Sequence, residues 1–135
     1  MASTDPKRAS DEPPEEVRGP APGDKPLQMI SNGLVQLHAR EYGRGPTKAK
    51  TYILDDTYVC CVMHDIFTTS EETLIERGRE DLVRETRIEF QKALSVEFSQ
   101  VVEQALGRRV LTYQSQVVFD PPASFEFFIL GEPDD

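Results

Sequence analysis

The chain has 135 residues and a net charge of -9, from 24 acidic and 15 basic residues. That length fits one domain rather than two, and the acidity argues against a general nucleic-acid binder and against adsorption to anionic membranes. No apolar run approaches the roughly 18 residues of a membrane span, and no apolar signal segment opens the sequence, so direct membrane insertion is excluded and a cytoplasmic location is expected.

Residues 1–25 read as a disordered leader rich in proline and charge, with Pro6, Pro13, Pro14, Pro20 and Pro22 and almost nothing large and apolar. Such a segment cannot bury enough surface to offset the entropy of ordering. Residues 26–131 carry the folding signals, and 132–135 form a short acidic tail. A first helix is expected from Pro26 to Tyr42, because Leu27, Ile30, Leu34 and Leu37 fall on one face. Gly33 weakens that helix, and Gly43 is placed to cap its end.

Thr47–Leu54 and Thr57–Met63 read as two strands of a hairpin turned at Asp55-Asp56. The second is apolar almost throughout, which predicts a central strand covered on both faces. The first alternates, with Lys48 and Lys50 on one side and Ala49, Thr51 and Ile53 on the other. Thr68, Thr69 and Ser70 offer hydroxyl caps ahead of Glu71 and Glu72, so a short helix should run to Arg77. Gly78 marks a break. A long helix is then expected over Arg79–Leu106, with an apolar stripe of Val83, Phe90, Leu94, Phe98, Val101 or Val102, and Ala105, and Gly107 as its stop.

Val110–Phe119 and Ser124–Leu130 predict a second hairpin, joined through Asp120-Pro121-Pro122-Ala123, where two prolines mark a loop. The fold class is therefore α+β. Two hairpins form a four-stranded antiparallel sheet packed against the N-terminal helix and one long helix, in the order α-β-β-α-α-β-β.

The run Gly43-Arg44-Gly45-Pro46-Thr47-Lys48-Ala49-Lys50-Thr51-Tyr52-Ile53-Leu54-Asp55-Asp56 is the most distinctive in the chain. With the step Ile66-Phe67-Thr68-Thr69-Ser70-Glu71, Gly78, Asp81-Leu82-Val83, Arg87 and Phe98, it resembles the bacterial MpsC-like family over about residues 26–130. The resemblance implies the soluble component of a sodium-translocating, membrane-potential-generating system. It points to a membrane ion or bicarbonate transport system as partner, and it brings no catalytic residues. Cys60, Cys61 and His64 carry no implication from it.

The first candidate site is the basic turn: Arg44, Gly45, Pro46, Thr47, Lys48 and Lys50. Its cations could hold a phosphate, a nucleotide or an acidic partner surface; the bland reading is a tight helix-to-strand connection with solvated lysines. The glycine spacing is not that of a phosphate-binding Walker loop. Arg108 and Arg109 would add to the cluster if the hairpins lie side by side, or would cap the long helix. His64-Asp65 is an acid–base candidate, but neighbours on a strand point apart. Cys60 and Cys61 read as small hydrophobes in an apolar strand rather than as reactive thiols or a zinc site. No cofactor or metal is implied.

Two functions are expected from these residues together with what the resemblance implies. The leading expectation is a non-enzymatic accessory or regulatory protein, a homodimer acting by protein binding and peripheral to the membrane only through a partner. The alternative is a small-molecule sensor that takes a nucleotide or phosphate in the same turn. Ile88 and Val96, left over from the helix stripe, are candidates for the dimer contact, as are Phe128 and Leu130, which a one-layer sheet would expose.

Overall fold

The computed structural model describes residues 25–133. The leader expected over 1–25 lies outside them, except that Lys25 already opens the first helix, and the end of the acidic tail also lies outside. Helix α1 spans Lys25–Tyr42, followed by strands β1 (Lys48–Leu54) and β2 (Tyr58–His64). Helices α2 (Thr69–Glu76), α3 (Glu80–Ala93) and α4 (Ser95–Leu106) come next, then β3 (Val110–Phe119) and β4 (Pro122–Leu130). The four strands form one antiparallel sheet in the order β1-β2-β4-β3, so the two hairpins join through β2 and β4.

Local chemistry accounts for most of these boundaries. Gly43 is left-handed, with φ +82°, and closes α1 by donating its N–H to the Ala39 carbonyl at 3.0 Å. Asp55 and Asp56 both have positive φ, which aspartate tolerates and a hairpin turn of matching twist requires. Thr68 caps α2 reciprocally: its hydroxyl accepts from the Glu71 N–H, and the Glu71 carboxylate accepts from the Thr68 N–H. Gly33 admits α4, because a Cβ there would stand 2.7 Å from a Val101 methyl.

The single long helix does not exist. Leu94, at φ -108° and ψ 10°, divides it into α3 and α4. Neither glycine nor proline marks the division, so the periodicity reads straight through it. The break also changes who faces inward. Val83, Leu94, Phe98 and Val102 are buried as expected, but Phe90 is exposed and Arg87 takes a buried place on the stripe.

The helices lie on one face of the sheet. The inner face, from Val59, Cys61, Met63, Phe128, Leu130 and Val117, joins Ile30, Leu34, Leu37 and the α3–α4 stripe in one core. Strand β2 is central but covered on one side only; Tyr58, Cys60, Val62 and His64 point to the open side. Strand β4 likewise turns Glu126, Phe128 and Leu130 inward and Phe125, Phe127 and Ile129 outward. Phe128 and Leu130 are thus core residues rather than candidates for a dimer contact. Pro122 is also not loop: it begins β4 opposite Phe119, leaving Asp120-Pro121 as the turn.

Candidate functional site

The turn from Gly43 to Thr47 carries α1 into β1 and is fastened on three sides. The Arg44 carbonyl accepts from His38 Nδ1 at 2.7 Å. The Arg44 Nε–H donates to the Asp65 carbonyl at 3.1 Å, and the Thr47 hydroxyl donates to the Asp65 carboxylate. Asp65 is itself left-handed, with its N–H bonded to the Pro122 carbonyl at 3.1 Å, so the start of β4 anchors the turn as well. Lys48 and Lys50 project from the open face of β1 and are exposed. The ammonium of Lys50 lies 5.4 Å from the centre of the Tyr52 ring. Beside the turn, a cavity of about 250 Å³ is lined by Gln28, Ser31, Asn32, Val35 and Gln36 of α1 and by Pro46 to Ala49.

The sequence places six residues in this turn, and they remain together in space. Their cations diverge, however: the Arg44 side chain is spent on a carbonyl, and Asp65 adds an acid in the middle. Arg108 and Arg109 do not join them. Arg108 lies at the other end of the sheet, where it donates to the Gly131 carbonyl from Nε and Nη2 and to the Asp56 carbonyl at 2.8 Å. Asp65 stands just past the end of β2 in left-handed backbone, and its carboxylate accepts from the Thr47 hydroxyl. Burial pushes the Cys61 thiol up to about 12 and raises Cys60 as well, so neither thiol ionises near neutrality.

The sequence reading missed the centre that holds the turn. His38 is buried on α1, and its ring stacks on Tyr42 with centroids 4.4 Å apart. Its Nδ1–H serves Arg44, so Nε2 carries the lone pair that accepts from Arg87 Nη1 at 2.9 Å. Arg87 reaches in from α3. It grips Glu71 bidentately, with both contacts at 2.7 Å, and donates to the Ile66 carbonyl at 2.8 Å. Its guanidinium is sandwiched between Tyr42 at 4.1 Å and Phe67 at 5.4 Å. Burial lowers His38 to about 4; the bond to the Arg44 carbonyl opposes it, and the Arg87 charge adds a smaller push downward. Burial alone would raise Glu71, but the hydrogen bonds from Arg87 and Thr68 outweigh it and hold the carboxylate below its ordinary range. One signal of this centre was readable: Arg87 stands four residues after Val83, on the buried stripe.

A second buried polar group crosses the inner face of the sheet. Thr51, Cys61, Glu126 and Ser115 stand side by side on the four strands. Glu126 is buried and accepts from the Tyr113 hydroxyl at 2.6 Å and the Ser115 hydroxyl at 2.9 Å. Ser31 and Thr51 share a hydrogen bond of 2.8 Å at the other end of the row. Burial raises both Glu126 and Tyr113. Among the described residues, no group of three or more His, Cys, Asp or Glu side chains is placed to hold a metal ion. No helix among them is long and apolar enough to cross a membrane.

The family model described as "Na+-translocating membrane potential-generating system (MpsC)" matches residues 25–132, which is the whole of the described fold but for one residue. No curated protein and no solved structure matches the chain.

Proposed function

The chain belongs to the MpsC family, and on that premise we propose that it is a non-enzymatic accessory or regulatory protein. It works as a homodimer, and its basic turn contacts an acidic surface on an integral membrane component of the sodium-translocating system. It is cytoplasmic and reaches the membrane only through that partner. One observation carries this reading. The backbone of the turn is fastened through Arg44 and Thr47 to α1 and to Asp65, while Lys48 and Lys50 stand free beside it. A surface ordered before contact loses less freedom on binding.

The test is capture from detergent-solubilised membranes, comparing the chain with its Arg44→Ala/Lys48→Ala/Lys50→Ala variant. The native chain should recover an integral membrane ion-transport protein and the variant should not. Equal recovery by both would remove the turn from the contact.

The cavity beside the turn favours a second reading, a sensor of small anions. Its walls offer carboxamides and hydroxyls, the kinds of group that fix a polar ligand. A bound nucleotide or phosphate at 100 times its dissociation constant adds about 2.7 kcal/mol of stability. An unchanged melting temperature across millimolar phosphate compounds would dismiss that reading.

A further inference from the structure

An antiparallel sheet covered on one side ordinarily alternates apolar inward with polar outward. The two central strands here do not. Their open side carries Tyr58, Cys60 and Val62 on β2 and Phe125, Phe127 and Ile129 on β4. On β1 it continues into Tyr52 and Leu54 beside Lys50 and Lys48. On β3 it ends in the uncharged polar side chains of Thr112, Gln114 and Gln116. We infer that this open face is the homodimer interface, that its occupant is the same face of a second copy, and that the two-fold axis runs along the strands. The inference rests on the homodimer reading above and specifies its surface.

Area favours a folded protein as the occupant. Tyr52, Leu54, Tyr58 and Phe125 retain 45, 57, 38 and 40% of their surface. With large side chains worth about 150–250 Å² each, these four alone offer on the order of 350 Å². The rest of the face, with two lysine stems and two glutamine carboxamides, brings the patch to the order of the roughly 800 Å² per partner that a standard interface buries. Residues 1–24 contain no Phe, Tyr, Leu, Ile or Trp, so they do not match an apolar patch of this kind. Two lysines on one margin are too few to make the face a site for anionic lipid.

Charge then selects the arrangement. Two such sheets stack about 10 Å apart with strands within about 30° of each other. An axis across the strands would lay β1 on β1 and gather four lysines along one margin. An axis along the strands lays β1 over β3 of the partner copy and β2 over its β4. By register, Val62 then meets Phe125, Cys60 meets Phe127 and Tyr58 meets Ile129 of the other copy. Lys50 meets Gln116, a carboxamide that accepts from an ammonium. Both lysines lie on an edge strand, so their heads stay at the rim, in water. This axis also sets both basic turns at the same end of the dimer, where one acidic partner surface could meet the two together.

Sedimentation of the full chain tests the surface and the axis separately. The native chain should dimerise in the micromolar range, and Phe125→Glu/Phe127→Glu should be monomeric with an unchanged far-UV circular dichroism spectrum. Gln116→Lys, an exposed change that leaves the apolar centre alone, should weaken the dimer at least tenfold. Adding Lys50→Glu to it should restore most of that loss. A native chain that stays monomeric at 200 µM (about this order, the weak end for a specific dimer) would overturn the homodimer reading and this inference together. A dimer that survives Phe125→Glu/Phe127→Glu would overturn the surface alone. Should that variant misfold, the Gln116 and Lys50 pair decides.

Discussion

Arg87 and Glu126 are both buried, in two different ways. Arg87 keeps its charge: Glu71 supplies the opposite charge, a carbonyl and an imidazole take further donors, and two aromatic rings cover its faces. Glu126 meets no cation in direct contact and is held by two hydroxyls, in surroundings that raise its pKa. A buried ion pair fixes the relative position of several elements, and losing one partner strands the other. A carboxyl satisfied by neutral donors can yield its charge instead. The Arg87 centre ties α1, the basic turn, the start of α2 and α3 to one point. The hydrogen bonds of Glu126 stay within the two strands of the C-terminal hairpin.

A matched pair of amide substitutions is the sharpest way to break this contrast. Glu71→Gln keeps the capping geometry of α2 but removes the charge opposite Arg87. It should cost about 3–5 kcal/mol in chemical denaturation, the range for stranding a buried ion. Next in size is a pH effect from His38. Its folded pKa of about 4 lies below the ordinary 6.5, so the folded protein refuses a proton that the unfolded chain accepts. The stability it contributes is complete above pH 6.5 and is lost as pH falls toward 4, by about 3 kcal/mol in all. Glu71, also lowered, extends the loss to more acid pH. Urea titrations between pH 7.5 and 4.5 should show this slope, and His38→Gln should flatten it; an equal slope in the variant would shift the cause elsewhere. Smallest is Glu126→Gln, for which the same denaturation should show a loss of about 1 kcal/mol, since a neutral isostere can still accept from Tyr113. A loss as large as that of Glu71→Gln would mean that Glu126 is held as an ion and would erase the contrast.

Much of the fold was legible because alternation and end signals are local. The Asp55-Asp56 turn, the Thr68 cap, the Gly43 and Gly107 stops and both hairpins can be read from neighbouring residues. The break at Leu94 could not, because no residue there disfavours helix. The faces of β4 were ambiguous for another reason: both alternating sets are apolar, and a set containing Glu126 reads as outward. Only Tyr113 and Ser115, on the neighbouring strand, make that glutamate acceptable inside. The basic turn stood out as an unusual run of residues. Its brace did not, since an arginine on an amphipathic helix and a histidine on another reveal no meeting until the chain is folded.

Arg108 has a practical consequence for anyone attaching something to this protein. By holding the Gly131 carbonyl with two donors and the Asp56 backbone with a third, it fixes the exit of β4 beside the first hairpin's turn. Seven strand residues at about 3.3 Å each separate that exit from the Gly43–Thr47 turn, roughly 23 Å along the sheet. A fluorophore, a surface anchor or a fused protein following residue 133 therefore leaves from the end remote from the basic turn. Orientation on a sensor chip, with the basic turn pointing to solution, comes built into the chain.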